Sequence, residues 1–227
     1  MNYIVDHIPK TTPNNKRSGR KLEPKHITIH NTANEKSTAQ NERDWLTNPS
    51  NNITASWHIV VDEREAIEAI PLNEIACHAG DGNGQGNTAS IGIEICESGN
   101  YEKTLENAVE LVAQMLHERN WGIDKLRRHY DWSKKICPRL MYDNGKWTGW
   151  EQFKNDVQKK LDQMEGNIME IKEPSIGQIT VAVNGHKLKG VSVGGVSMIP
   201  VTSIAQALGR QVSWDEQTKT ATVKSPS

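Results

Sequence analysis

The sequence predicts an α/β protein: a central mixed β-sheet flanked by helices, followed by a small α+β domain. Three observations lead there. Short segments alternate strictly between apolar and polar residues, amphipathic helical stretches are interspersed among them, and the composition shifts near residues 165–177. Residues 25–30 alternate, with Ile27 and Ile29 on one face and His26, Thr28 and His30 on the other. A helix is expected over residues 38–46. Residues 55–61 and 66–70 read as strands parted by a turn at Asp62-Glu63. Residues 90–96 alternate most strictly, Ile91, Ile93 and Ile95 against Gly92, Glu94 and Cys96. Residues 105–116 form an amphipathic helix through Leu105, Val109, Val112, Met115 and Leu116. A further helix uses Trp150, Phe153, Val157, Leu161 and Met164, spaced by three and four so that they share a face. Residues 80–87 are polar and glycine-rich. With no Lys-Ser/Thr behind them and no buried strand before them, they read as a flexible loop rather than a phosphate cradle.

Gly166, Pro174 and Gly177 mark a linker after the last of these helices. The division predicted is a first domain over residues 1–165, a linker over 166–177 and a small domain over 178–227. Beyond residue 166 the charge changes sign, with six basic residues against four acidic ones. The small domain reads as strand, Asn184-Gly185 turn, strand, a second turn and strand, a short helix ending at Gly209, and a hairpin.

The chain as a whole carries a net charge of -1, which argues against a dedicated nucleic-acid binder. No stretch approaches the roughly 18 apolar residues that span a bilayer. Residues 1–21 hold five Lys/Arg and no continuous apolar core, so no secretory signal is expected there. Three widely spaced cysteines are not a disulfide framework and suit synthesis in a reducing compartment.

Among eight histidines and three cysteines, one group carries chemistry: His30 at the end of a strand, with His129 and Cys137. Two imidazoles and a thiolate suit zinc and leave a fourth tetrahedral position for water. Spacing alone does not single them out, since a His and a Cys eight apart arise often by chance. A closed structural zinc site would need a fourth ligand, for which His26 and His58 stay open. His78 either lines a groove or is structural, and Cys77 and Cys96 read as buried small side chains.

Five ordered motifs carry a resemblance. They are His30-Asn31-Thr32-Ala33, Ser56-Trp57-His58-Ile59-Val60-Val61-Asp62, Cys77-His78-Ala79-Gly80, Ser90-Ile91-Gly92-Ile93-Glu94, and residues 128–138 from Arg128-His129-Tyr130 to Ile136-Cys137-Pro138. Over roughly residues 20–162 the chain resembles the zinc-dependent N-acetylmuramoyl-L-alanine amidases of the type-2 amidase and peptidoglycan-recognition fold, phage endolysins in particular. The resemblance implies that His30, His129 and Cys137 hold Zn2+. It implies that Glu94 activates water and that Lys135 stabilises the oxyanion. Trp57 stands where many relatives have a tyrosine, and with His78 it is the substrate-binding expectation. The substrate implied is peptidoglycan, cut between N-acetylmuramic acid and L-alanine. A muropeptide receptor that binds without cutting, and a bacterial autolysin with the same chemistry, are the alternatives.

The small domain is similar to one known from the N-terminal region of copper amine oxidases, through Val183-Asn184-Gly185, Ile199-Pro200-Val201 with Ala207-Leu208-Gly209, and Val212-Ser213-Trp214-Asp215. His186 is its only histidine, so no copper is implied. Binding to the bacterial cell wall is the expectation for it, with an oligomerisation or spacer role open. The resemblance implies synthesis in the host cytoplasm and access to the wall through a separate membrane lesion, with export by another non-classical route as the alternative.

Overall fold

The computed structural model describes residues 1–169, 177–193 and 196–224. It separates into two compact units, Met1–Glu165 and Gly166–Ser227. The first holds β1 (Asn2–Val5), β2 (His26–Asn31), α1 (Ala39–Thr47), β3 (Ile59–Val61), β4 (Glu65–Glu68), α2 (Gln85–Thr88), β5 (Ser90–Ile95), α3 (Tyr101–Glu118), β6 (Leu126–Arg128), α4 (His129–Ser133) and the start of α5 (Thr148–Met169). Its six strands form one sheet in the order β1-β4-β3-β5-β2-β6. Every neighbouring pair is parallel except β3 with β4, which gives the mixed sheet the sequence predicts.

The alternation in β2 and β5 explains the layering. Ile27, Ile29, Ile91, Ile93 and Ile95 are wholly buried on one face, against Val112, Leu116, Phe153, Val157 and Leu161 from α3 and α5. Each such side chain contributes about 1.5–3 kcal/mol of burial. The opposite face carries Thr28, His30, Gly92 and Glu94, and the parallel register sets His30 beside Glu94 and Thr28 beside Gly92. Helix α1 covers part of that face, packing Ala39 and Leu46 with Val60 and Ile67 of β3 and β4. Thr38 caps it, its hydroxyl accepting from the Asn41 amide. The polar side chains of β2 and β5 are thereby left beside a groove.

Several elements differ from the sequence expectation. The strand expected over residues 55–61 is reduced to Ile59–Val61, because Ser56 pairs its backbone with Cys77 instead of a neighbouring strand. Strands β1 and β6, only four and three residues long, carry no alternation long enough to mark them in the sequence. The 80–87 segment is tied down, in contrast to the flexible loop expected. The Asp81 carboxylate accepts from the amides of Gly86 (2.7 Å) and Asn87 (3.2 Å), and Asn87 Oδ1 accepts from the amides of His78 and Ala79 (both 2.8 Å). Short polar side chains bonding to nearby backbone hold it without any hydrophobic periodicity. Helix α5 runs on to Met169, into the expected linker, of which residues 170–176 lie outside the described residues.

The second unit contains β7 (Gly177–Val183), β8 (His186–Val193), β9 (Val196–Met198), α6 (Val201–Ala207), β10 (Gln211–Asp215) and β11 (Thr220–Lys224). Strands β7, β8 and β9 form an antiparallel sheet, and β10 and β11 a hairpin. Asn184 and Gly185 both take positive φ, 47° and 80°, as a two-residue hairpin turn of this hand requires. No helix among the described residues is long and apolar enough to cross a membrane.

Candidate metal centre and groove

The site lies where β2, β5 and α4 meet, in a groove of about 690 Å³ lined by His30, Glu94, His129, Lys135 and Cys137 among others. His30 is the penultimate residue of β2, on its polar face. His129 opens α4, and Arg128 just before it is braced twice: its Nη2 lies 2.6 Å from Asp131 Oδ1, and its guanidinium sits 4.4 Å over the Trp147 ring. Lys134 at φ 63° ends α4, and the chain then folds back so that the Tyr130 amide donates to the Cys137 carbonyl at 3.1 Å. That return brings Cys137 to His129.

The three donors converge. His30 Nδ1 lies 3.0 Å from His129 Nδ1 and 3.8 Å from Cys137 Sγ, and the ligand atoms of all three residues fall within 4.8 Å of one another. A four-coordinate ion with metal–nitrogen bonds of about 2.0–2.1 Å and a metal–sulfur bond of about 2.3 Å spaces its donors roughly 3.3–3.6 Å apart. The observed separations bracket that range. His26 and His58 stay out of this set. His26 packs edge-on against Trp132, while His58 is buried between the Gly92 amide (2.9 Å to Nδ1) and the Glu74 carbonyl (2.8 Å to Nε2). Among the described residues, no fourth side-chain donor joins the cluster.

The electrostatics suit a cation. Burial, with His78, His129 and Lys135 nearby, holds His30 well below the usual imidazole range. Burial and then Lys135 lower His129 to about 4, against a weak opposing contact with the Ala79 backbone. Both rings are therefore neutral at neutral pH, the form that binds metal. Burial first, then the Glu94 charge, pushes the Cys137 thiol up to about 12. A divalent ion held there would favour the thiolate and offset that burial. Glu94 is pushed up to about 8 by burial, then by the charge of Glu42, with Lys135 opposing. Its Oε1 lies 4.0 Å from His30 Nδ1, and its buried Oε2 has no hydrogen-bond partner, nor does His129 Nε2. Neutral imidazoles, a thiol and an unpartnered carboxylate oxygen around one point fit a divalent metal ion.

Other residues hold this geometry without any mark in the sequence periodicity. Asn31 ties the cysteine loop to β2: its amide donates to Cys137 Sγ (3.4 Å), its Oδ1 accepts from the Leu140 amide (3.1 Å), and its Nδ2 donates to Tyr101 (3.2 Å). The buried Glu97 pairs with Arg139 and accepts from the Ala33 amide, joining the loops on either side. The substrate-binding expectations fall differently. Trp57 packs with the apolar residues of α1, β3 and β4, 7% exposed, at the groove's border, with its indole Nε1 buried and unpartnered. His78 borders the groove too, yet both its ring nitrogens meet protein groups, His30 Nε2 at 3.0 Å and the Ser90 carbonyl at 3.2 Å.

A two-histidine, one-cysteine cluster on the polar face of a mixed sheet makes this an α/β protein with a candidate metal centre. The model described as N-acetylmuramoyl-L-alanine amidase matches residues 20–140, and the chain belongs to that family. A second model, described as copper amine oxidase N-terminal domain, matches residues 173–227. XlyB, an N-acetylmuramoyl-L-alanine amidase of Bacillus subtilis, is 44% identical over 146 residues, covering 62% of this chain and 44% of its own. CwlA of a Bacillus species is 37% identical over 195 residues, covering 83% of this chain and 74% of its own. The solved catalytic domain of XlyA superposes with a TM-score of 0.63 at 42% identity, over 69% of this chain and 99% of that one. The PlyG catalytic domain gives 0.61 at 37% identity, over 71% and 96%. The chain spans about half the length of several curated relatives, 44%, 53% and 51% of the first three.

Proposed function

We propose that this protein is a zinc-dependent N-acetylmuramoyl-L-alanine amidase that hydrolyses the amide joining N-acetylmuramic acid to the L-alanine of the peptidoglycan stem. The observation that carries it is the convergence of His30, His129 and Cys137 with Glu94 4.0 Å from His30, in one groove. His30, His129 and Cys137 would hold the metal. Zinc bound there supplies Lewis-acid polarisation of the scissile carbonyl and acidifies water.

The remaining work falls to this chain's own groups. Glu94, as carboxylate, takes the proton of the water that attacks the carbonyl carbon, and then gives it to the L-alanine nitrogen as the C–N bond breaks. Burial suits it to both acts, because a carboxyl pushed up to about 8 holds a proton near neutral pH, and a neighbouring cation draws that value down. Lys135 borders the same groove and sets an ammonium beside the developing oxyanion. Trp57 supplies an unpartnered indole N–H at the groove's border as a donor for substrate. In that setting the small C-terminal domain tethers the enzyme to the bacterial wall. Retention of the full chain on purified walls, lost when the chain is cut after residue 169, supports that role, and equal retention of both removes it.

The reading is supported by relatives whose names are those of amidases. The test is digestion of purified sacculi with and without a chelator, followed by identification of the new termini. Free L-alanine amines appearing only without chelator support the amidase. Reducing sugar ends, or amines of other residues, refute it. Binding to sacculi with no new termini supports the non-cutting receptor.

A further inference from the structure

We infer that His78 is a positioning residue of the metal site: its Nδ1 accepts the Nε2 proton of His30, which leaves His30 Nδ1 bare and aimed at the ion. The inference rests on the metal reading proposed above, and concerns how one ligand is kept in the form that binds. It follows from the order of hydrogen bonds. The Ser90 carbonyl can only accept, so His78 Nε2, 3.2 Å away, carries a proton. A buried ring with no ion-pair partner is neutral and has only one N–H. His78 Nδ1 is therefore an acceptor, and His30 Nε2, 3.0 Å from it, is the donor. His30 then has no proton on Nδ1, the atom 3.0 Å from His129 Nδ1 and 3.8 Å from Cys137 Sγ.

The His78 ring is seated, not merely nearby. It lies over Gly92 in β5, where a Cβ would come within 2.5 Å of His78 Cγ. Its backbone amide donates to Asn87 Oδ1 at 2.8 Å, and its plane stands 89° to that of His30. A glycine in the strand and an asparagine in the polar loop thus fix the ring that fixes the ligand. Metal-bound histidines generally donate their other ring N–H to an acceptor, and loss of that acceptor costs about 10–100-fold in metal affinity. Here the acceptor is a second imidazole.

The test uses the full chain with His78→Leu and His78→Asn. Leucine and asparagine are close in shape, but only asparagine places an oxygen where His78 Nδ1 lies. Zinc affinity is measured by competition with a chromophoric chelator. The leucine variant should bind about 10–100-fold more weakly, and the asparagine variant should stay close to the natural protein. A merely structural role would lower the melting temperature of both variants and leave the affinity of folded protein unchanged; equal zinc affinity in all three proteins overturns the inference. Long-range proton–nitrogen correlation spectra of the metal-free natural protein supply the second readout, which holds even if the leucine variant does not fold. His30 protonated on Nε2 supports the assignment, and His30 protonated on Nδ1 overturns it. A natural protein that binds no zinc refutes the metal reading instead, and the tautomer measurement still decides the hydrogen bond.

Discussion

Gly86 is tightly packed beside the site, and adding one methyl group there is a sharp test of how the site is held. A Cβ at this position would lie 2.4 Å from the Ala79 Cβ, 2.7 Å from Trp132 Cγ and 2.9 Å from Asp81 Oδ2. The first two neighbours cannot swing aside. Ala79 follows His78 directly, and Trp132 is pinned by its indole N–H donating to Thr28 Oγ1 at 2.9 Å. Helix α2 must therefore move away from α4. Overpacking of this kind costs about 1–3 kcal/mol, and the bonds that Asp81 makes to the Gly86 and Asn87 amides are strained with it, adding about 1 kcal/mol. A loss of about 2–4 kcal/mol is expected for Gly86→Ala. At about 2–4 °C per kcal/mol for a domain of this size, the melting temperature should fall by roughly 5–15 °C. Gly82→Ala is the comparison. Gly82 has φ +64° and nothing within 4 Å of an added Cβ, so only left-handed strain of about 1–2 kcal/mol applies. Thermal melts followed by circular dichroism give the stabilities. Because Trp132 shares α4 with His129, zinc affinity should also fall in Gly86→Ala and hold in Gly82→Ala. A Gly86→Ala protein no less stable than Gly82→Ala would refute the packing argument.

Other expectations follow from the same geometry. Glu94→Gln should keep the metal, measured by elemental analysis, while losing most amide hydrolysis on sacculi; near-normal turnover in the loaded variant removes Glu94 from the proton path. Cys137→Ser should instead lower metal content itself, since a hydroxyl does not replace a thiolate ligand. Arg128→Ala removes the guanidinium over Trp147 and its pairing with Asp131, for about 2–3 kcal/mol in denaturant unfolding, mostly cation–π and packing; a loss under about 0.5 kcal/mol would count against that brace. Burial lowers His58 to about 4, so folded protein keeps it neutral while unfolded chain takes up a proton below about 6.5. The stability it confers is complete above that range and is lost as pH falls toward 4, by about 3 kcal/mol. Unfolding of metal-free protein across that window should show the decline, and a His58→Gln variant a shallower one.

The strands and helices that build the core were legible because each buries one face. Alternation in residues 25–30 and 90–96 records which side chains water cannot reach, and it placed His30 and Glu94 on the polar face before any fold was known. The three-and-four spacing in α3 and α5 records the same fact for helices. That reasoning is local, and it fails where burial has no period. Strand β1 has all four residues exposed, so no alternation announces it. The 80–87 loop is held by Asp81 and Asn87, two side chains that resemble ordinary loop residues until their bonds are seen.

The candidate ligands were singled out by resemblance, not by spacing, and the reason is geometric. His129 and Cys137 lie 99 and 107 positions from His30, and only strand register, the docking of α4 and the returning cysteine loop bring them together. His78 shows the limit most clearly. Its motif marks it as worth attention, but that it lies against His30, seated where Gly92 has no side chain, is a property of two chain segments meeting across a strand. What the sequence by itself determined is the set of faces and the inventory of chemical groups. The tertiary structure alone decided which groups touch, because contacts between distant residues come from the sum of many weak packing terms that no single segment encodes.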